Sequence, residues 1–183
     1  MPDGIDPART ALVIYDMTAT LLEGPGTEPW IVSDLPQLAE LLGQCRAAGV
    51  FVCYANSAQG YAGFEIPAAI APLQDEARLL HSGSGAFSGT DLEQLLRDRE
   101  VDTVMVAGMA VDRGCNMTAR QAQNLGFRVI MVRGACFTHS IAEGPFGPID
   151  KHEIERVHLA ALSRMGIGVP TIAEIMAELR AGG

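Results

Sequence analysis

The feature that most constrains this chain is an alternation, repeated along its whole length, of short apolar runs with stretches of helical periodicity. Thr10–Tyr15 (TALVIY), 50–55 (VFVCYA), 103–107 (TVMVA) and 127–132 (FRVIMV) are continuous apolar runs. Strands that read this way, rather than as alternating polar and apolar positions, are covered on both faces. Residues 78–81 form a further short strand. Between these runs the spacing becomes helical. Residues 35–48 place Leu38, Leu41, Leu42 and Cys45 on one face and stop at Gly49. Ser33 or Asp34 is positioned to cap that helix, with Pro36 in its first turn. Thr90-Asp-Leu-Glu93 is a capping-box pattern ahead of Leu92, Leu95 and Leu96. Residues 112–125 form a helix closed by Gly126. Residues 150–165 carry Ile154, Val157, Ala161 and Leu162 on one face, and Thr171-Ile-Ala-Glu174 opens a last helix. Residues 56–72 are Gly- and Ala-rich and read as a long loop with one helical turn. Residues 143–148 form a surface loop.

A β-α-β-α order of this kind calls for an α/β fold with a mostly parallel sheet and helices on both faces. With 183 residues, the chain fits one domain over 1–183 with a core that needs no disulfides. Ligands in such sheets bind beyond the carboxyl ends of the strands. Residues 16–20, 56–59, 108–115 and 133–140 all fall there.

Composition narrows the function. Thirteen Lys and Arg against 22 Asp and Glu give a net charge of −9, which argues against a nucleic acid or an anionic membrane as partner. No apolar run reaches the roughly 18 residues that span a bilayer, and the first residues lack the basic and apolar regions of a secretory signal. Cys45, Cys53, Cys115 and Cys136 show neither C-x-x-C nor zinc-finger spacing. They read as reduced thiols of a cytoplasmic protein. His81, His139, His152 and His158 form no H-E-x-x-H pattern, so neither a metal nor a cofactor is expected. There is no phosphate-binding G-x-x-x-x-G-K-[ST], no dinucleotide G-x-G-x-x-G between strand and helix, and no G-x-S-x-G elbow.

Three positions carry candidate chemistry. Asp16 directly follows the first strand, where a carboxylate sits on a rigid support and serves as a general acid or base; it reads equally as a turn residue. The segment 108–115 joins a strand to a helix, and its N–H groups, including those of Met109, Ala110 and Gly114, can face an oxyanion. Cys115 in the first turn of that helix is either a reactive thiol favoured by the helix dipole or a buried thiol facing the sheet. Asp112 reads as the N-cap. His81 ends the short strand and can pair with Asp16. Asn56, Ser57, Tyr61, Phe64 and Phe137 line the pocket by position.

Several stretches, in order, resemble the isochorismatase-like (cysteine hydrolase) superfamily. Thr10-Ala-Leu-Val-Ile-Tyr-Asp16-Met17 looks like its first strand with the catalytic Asp. Gly85-Ala-Phe-Ser-Gly-Thr90-Asp-Leu is similar to its S-A-F-x-x-T-x-L. Val104-Met-Val-Ala-Gly108, followed by Thr118-Ala119, resembles its strand and nucleophile helix. The resemblance covers nearly the whole chain. It implies a three-layer fold, small-molecule hydrolysis, an oligomer of identical copies and a cis peptide at Met109–Ala110. It also implies an Asp–Lys–Cys triad, and the chain departs from this. The Asp position is Asp16, the Lys position is His81, and the Cys position is Gly114, with Cys115 one place later. Family members that hydrolyse the vinyl ether of isochorismate also carry Gly there, but keep the Lys. Three readings follow. Asp16 is a general acid/base with His81 as charge partner, acting on an acid-labile C–O or C–N bond. Alternatively, Cys115 is the nucleophile of an amidohydrolase. Alternatively, the chain is a binding protein that kept the fold. The apolar stretches at 66–73 and 137–149 are candidates for a subunit interface.

Overall fold

The computed structural model describes residues 4–23, 29–58 and 65–181; Tyr61 and Phe64 lie outside them. Five strands form one sheet: β1 (Thr10–Tyr15), β2 (Phe51–Ser57), β3 (Ala77–His81), β4 (Thr103–Met109) and β5 (Arg128–Phe137). All four pairings are parallel, and the order is β3-β2-β1-β4-β5. Every residue of β1 and β4 is buried, as continuous apolar runs require of central strands.

The helices are α1 (Ala19–Glu23), α2 (Pro29–Ala48), α3 (Leu92–Arg97), α4 (Gly114–Asn124), α5 (Lys151–Ser163) and α6 (Ile172–Ala181). They cover both faces. On one face, Leu38, Leu41 and Leu42 of α2 and Ile175 and Leu179 of α6 pack against Leu12, Ile14 and Tyr54. On the other, Leu92 and Leu96 of α3, Ala119 and Ala122 of α4 and Leu159 and Leu162 of α5 pack against Val13, Val104 and Val106. Two apolar layers around one sheet give the expected three-layer architecture.

Local details differ from the sequence reading. Helix α2 begins at Pro29, so Pro36 lies inside the helix rather than in its first turn, and neither Ser33 nor Asp34 is its cap. The buried Leu35–Leu42 face outweighs the hydrogen bond that an interior proline forfeits. The Thr90 capping box does not form. Thr90 Oγ1 donates to Ala86 O (2.7 Å), and Glu93 meets Arg97. The Thr171 box does form: Glu174 Oε2 accepts from Thr171 N, and Glu174 N donates to Thr171 Oγ1. On α5, Val157 is exposed and Leu159 takes the expected inward place.

The strand order sets the site. The chain leaves β1 toward β2 on one side, while β4 flanks β1 on the other. This is a topological switch point, where a crevice opens beyond the strand ends. Gly108 makes the close approach of the two strands possible. It has φ +123°, and a Cβ there would lie 2.1 Å from Tyr15 O.

Candidate active site

A pocket of about 480 Å³ opens at that switch point, lined by residues of five segments, among them Tyr15, Asp16, Ser57, His81, Ala110 and Gly114. Asp16 leaves β1 with φ +49°, a left-handed conformation that costs an L-residue roughly 1–2 kcal/mol. Three contacts hold it. Its N–H donates to Ala55 O (3.0 Å), Ser57 N–H donates to its Oδ1 (2.8 Å), and His81 Nε2 stands 3.2 Å from the same oxygen. Parallel register between β2 and β3 places Ser57 opposite His81, so both reach Asp16 together.

His81 Nδ1 lies 2.7 Å from Gly83 O. A carbonyl can only accept, so that contact favours a hydrogen on Nδ1 and turns Nε2 toward Asp16, where a proton carried between the two groups would make the 3.2 Å contact a hydrogen bond.

Tyr15 completes the wall. Its ring stacks on His81 with centroids 4.7 Å apart and planes 14° from parallel. Its Oη accepts from Gly85 N–H (3.2 Å). Burial, then the Asp16 charge, pushes the Tyr15 phenol well above its ordinary range, so it stays protonated.

The structure brings Asp16, His81, Ser57, Met109, Ala110 and Gly114 to the pocket, but not every candidate. Cys115 is fully buried on the sheet side of α4. Its thiol lies against Cys136, whose Sγ–H donates to Val106 O (3.2 Å). Burial, then Cys136, raises the Cys115 thiol far above its ordinary value, the opposite of the shift expected from the helix dipole. One residue along a helix turns a side chain by about 100°, and here that rotation takes residue 115 out of the pocket. Asn56 and Phe137 are likewise in the core and do not line the pocket. Asp112 does not cap α4; its Oδ1 accepts from Thr138 Oγ1 (2.5 Å). In the 108–115 turn, the N–H groups of Val111, Arg113 and Cys115 are used within the fold, on Phe137 O and Ala110 O. Of the expected cradle, Met109, Ala110 and Gly114 line the pocket. The Met109–Ala110 peptide is cis.

Sequence reasoning missed Tyr15, Arg113, His139, Ser82 and Ser84, all of which line the pocket. Tyr15 was absorbed into the apolar count of β1. His139 lay in a segment already placed at the strand ends, but nothing in its neighbours singled it out. Among the described residues, no cluster of three or more His, Cys, Asp or Glu could hold a metal ion.

The model of the isochorismatase domain matches residues 10–147. The chain belongs to the isochorismatase family. An isochorismatase family protein of Escherichia coli O157:H7, YecD, is 30% identical over 156 residues, 72% of this chain and 81% of its own length. A streptothricin hydrolase of Streptomyces noursei is 27% identical over 143 residues, 74% of this chain and 52% of its own. Among solved structures, a cysteine hydrolase from Pseudomonas syringae pv. phaseolicola shares the fold at a TM-score of 0.88. It is 24% identical, with 98% of this chain and 96% of that one covered. A putative hydrolase of the family from Chromobacterium violaceum gives a TM-score of 0.82 at 26% identity, covering 99% and 100%. This isochorismatase-family chain thus sits in a superfamily of hydrolases, and its pocket occupies the switch point of that fold.

Proposed function

We propose that this chain hydrolyses a small molecule by acid/base chemistry, with Asp16 as general acid/base and His81 as its charge partner. The bond cleaved is an acid-labile C–O bond such as a vinyl ether, or a C–N bond of similar lability. One observation supports this reading: Asp16 Oδ1 and His81 Nε2 meet at 3.2 Å on the pocket wall, while position 114 offers no thiol and Cys115 is buried. For a vinyl ether, Asp16 delivers the proton to the terminal carbon. Water adds to the resulting oxocarbenium carbon, its proton returns to Asp16, and the hemiketal collapses to a ketone and an alcohol. The amidase reading, with Cys115 as nucleophile, loses the access it requires. The substrate is a small molecule, the site of action is the cytoplasm, and copies of the chain associate. Exposed Leu73, Ile141 and Phe146, within the two apolar stretches, support the last point.

The test is turnover of an enolpyruvyl ether by the wild type, with released pyruvate read through lactate dehydrogenase, beside Asp16→Asn and Cys115→Ala. Asp16→Asn should lose about 10²–10⁴-fold in rate, the usual contribution of a positioned acid or base. Cys115→Ala should stay active. Full activity in Asp16→Asn, or an inactive but folded Cys115→Ala, would overturn the reading. A wild type that binds such ethers without turning them over would support the binding-protein reading instead.

A further inference from the structure

Gly114 lies in the first turn of α4, and the space its side chain would fill is already taken. A Cβ there would lie 2.0 Å from Tyr15 Cε1, 2.3 Å from Cζ and 2.5 Å from Oη. Real Cβ atoms do not approach other heavy atoms that closely, and the obstacle is a ring held on several sides. It stacks on His81, accepts from Gly85 N–H and sits in a strand that is buried throughout. The position from which α4 would present a side chain is thus occupied from β1 by the phenol end of Tyr15, ring edge and oxygen together. The glycine makes the room, and the tyrosine fills it.

We infer that Tyr15 is a catalytic residue of this chain, its Oη–H standing where a side chain at 114 would act and donating a hydrogen bond to the reacting oxygen of the substrate. Gly85 N–H already uses a lone pair of Oη, and the O–H is directed toward Asp16, on the side from which a bound substrate would receive it. Asp16 and His81 lie on the same wall, so proton source and hydrogen-bond donor address one small volume. No bond to Tyr15 forms or breaks; the phenol acts in the last step, stabilising the negative charge that develops on the leaving oxygen as the hemiketal C–O bond breaks. This role rests on the acid/base reading above, but the occupancy it requires does not.

Two experiments separate the claims. The first is native alkylation by iodoacetamide, read by intact mass, on the wild type, Gly114→Cys and Tyr15→Val/Gly114→Cys. The wild type should take up no label, since its four cysteines are all buried. Gly114→Cys alone should melt well below the wild type, lacking room for its Cβ. The double variant should recover melting temperature and take up one label, at residue 114. A Gly114→Cys protein that melts like the wild type and labels readily would overturn the inference, as would a folded double variant that stays unlabelled. The second is Tyr15→Phe on the enolpyruvyl ether, which keeps the ring and the stack. Its kcat should fall about 10–10³-fold, the range for removing one donor at a developing oxyanion, with KM little changed. An unchanged kcat would overturn the inference while leaving Asp16 in place. If the wild type turns over nothing, the acid/base reading fails and the donor role falls with it; the labelling result then decides the occupancy alone.

Discussion

At the scale of single residues, the His81–Asp16 contact and the buried thiols give the sharpest expectations. Lys at position 81 would also offer an N–H to Asp16, so His81→Lys should retain turnover, while His81→Ala, which removes the partner of Asp16 Oδ1, should lose most of it. Full activity in His81→Ala would separate His81 from the chemistry. The cysteines should be inert in the folded protein. Burial pushes Cys45 and Cys53 up to about 12 and also raises Cys115 well above its ordinary value. At pH 8, then, almost no thiolate forms and no path reaches it. Intact mass after iodoacetamide should show no adduct on the native chain and four on the denatured one.

At the scale of elements, what matters is how β3 is held, because it delivers His81. Arg46 of α2 grips Glu76, the residue before β3, through two hydrogen bonds of 2.7 and 2.8 Å. It also donates to Ala71 O at 2.9 Å. Tyr54 Oη donates to Ile70 O alongside (2.8 Å). Glu76 is only 9% exposed, so its loss would leave a partly buried guanidinium without its main partner. Glu76→Ala should cost about 1–3 kcal/mol, the range for leaving a buried hydrogen-bonding group unsatisfied. The melting temperature should fall by about 2–4 °C per kcal/mol in a chain of this size. If melting is unchanged, the clamp contributes nothing. Elements were legible in the sequence wherever burial and periodicity agreed, as in β1, which runs over Thr10–Tyr15 as read, and in the Thr171 capping box. Reading failed where a local pattern competed with packing. Pro36 signals a helix start, but the buried leucines carry α2 through it. Thr90 is a fine cap in isolation, but its hydroxyl is drawn to Ala86 O in the folded loop.

For the molecule as a whole, the proposed association of copies points to its exposed apolar residues. Phe146 is 89% exposed, and Ile141 and Leu73 are also exposed, while Phe137 and Ile70 of the same stretches are buried within the chain. The surface offered for the proposed interface is thus confined to the outer parts of the stretches read from the sequence. Light scattering over a concentration series should give a mass of at least twice 19.4 kDa, and Phe146→Ser should shift the distribution toward the monomer. A single 19.4 kDa species at all concentrations would remove this expectation. Among the described residues, no helix is long and apolar enough to cross a membrane.

The sequence by itself determined the layer architecture, the parallel sheet and the strand ends at which the pocket opens. Those properties follow from apolar periodicity, which is written locally and holds whatever the neighbours do. It also named Asp16 and His81, because each stands at a strand terminus. The composition of the pocket wall was decided only in three dimensions. Whether Cys115 or Gly114 faces the pocket depends on the rotation of α4 about its axis, which packing against β4 and β5 sets and no spacing rule reveals. That Tyr15 fills the space beside Gly114 depends on two residues 99 positions apart. Only the pairing of β1 with β4 brings them within contact, through close approach of backbones at Gly108.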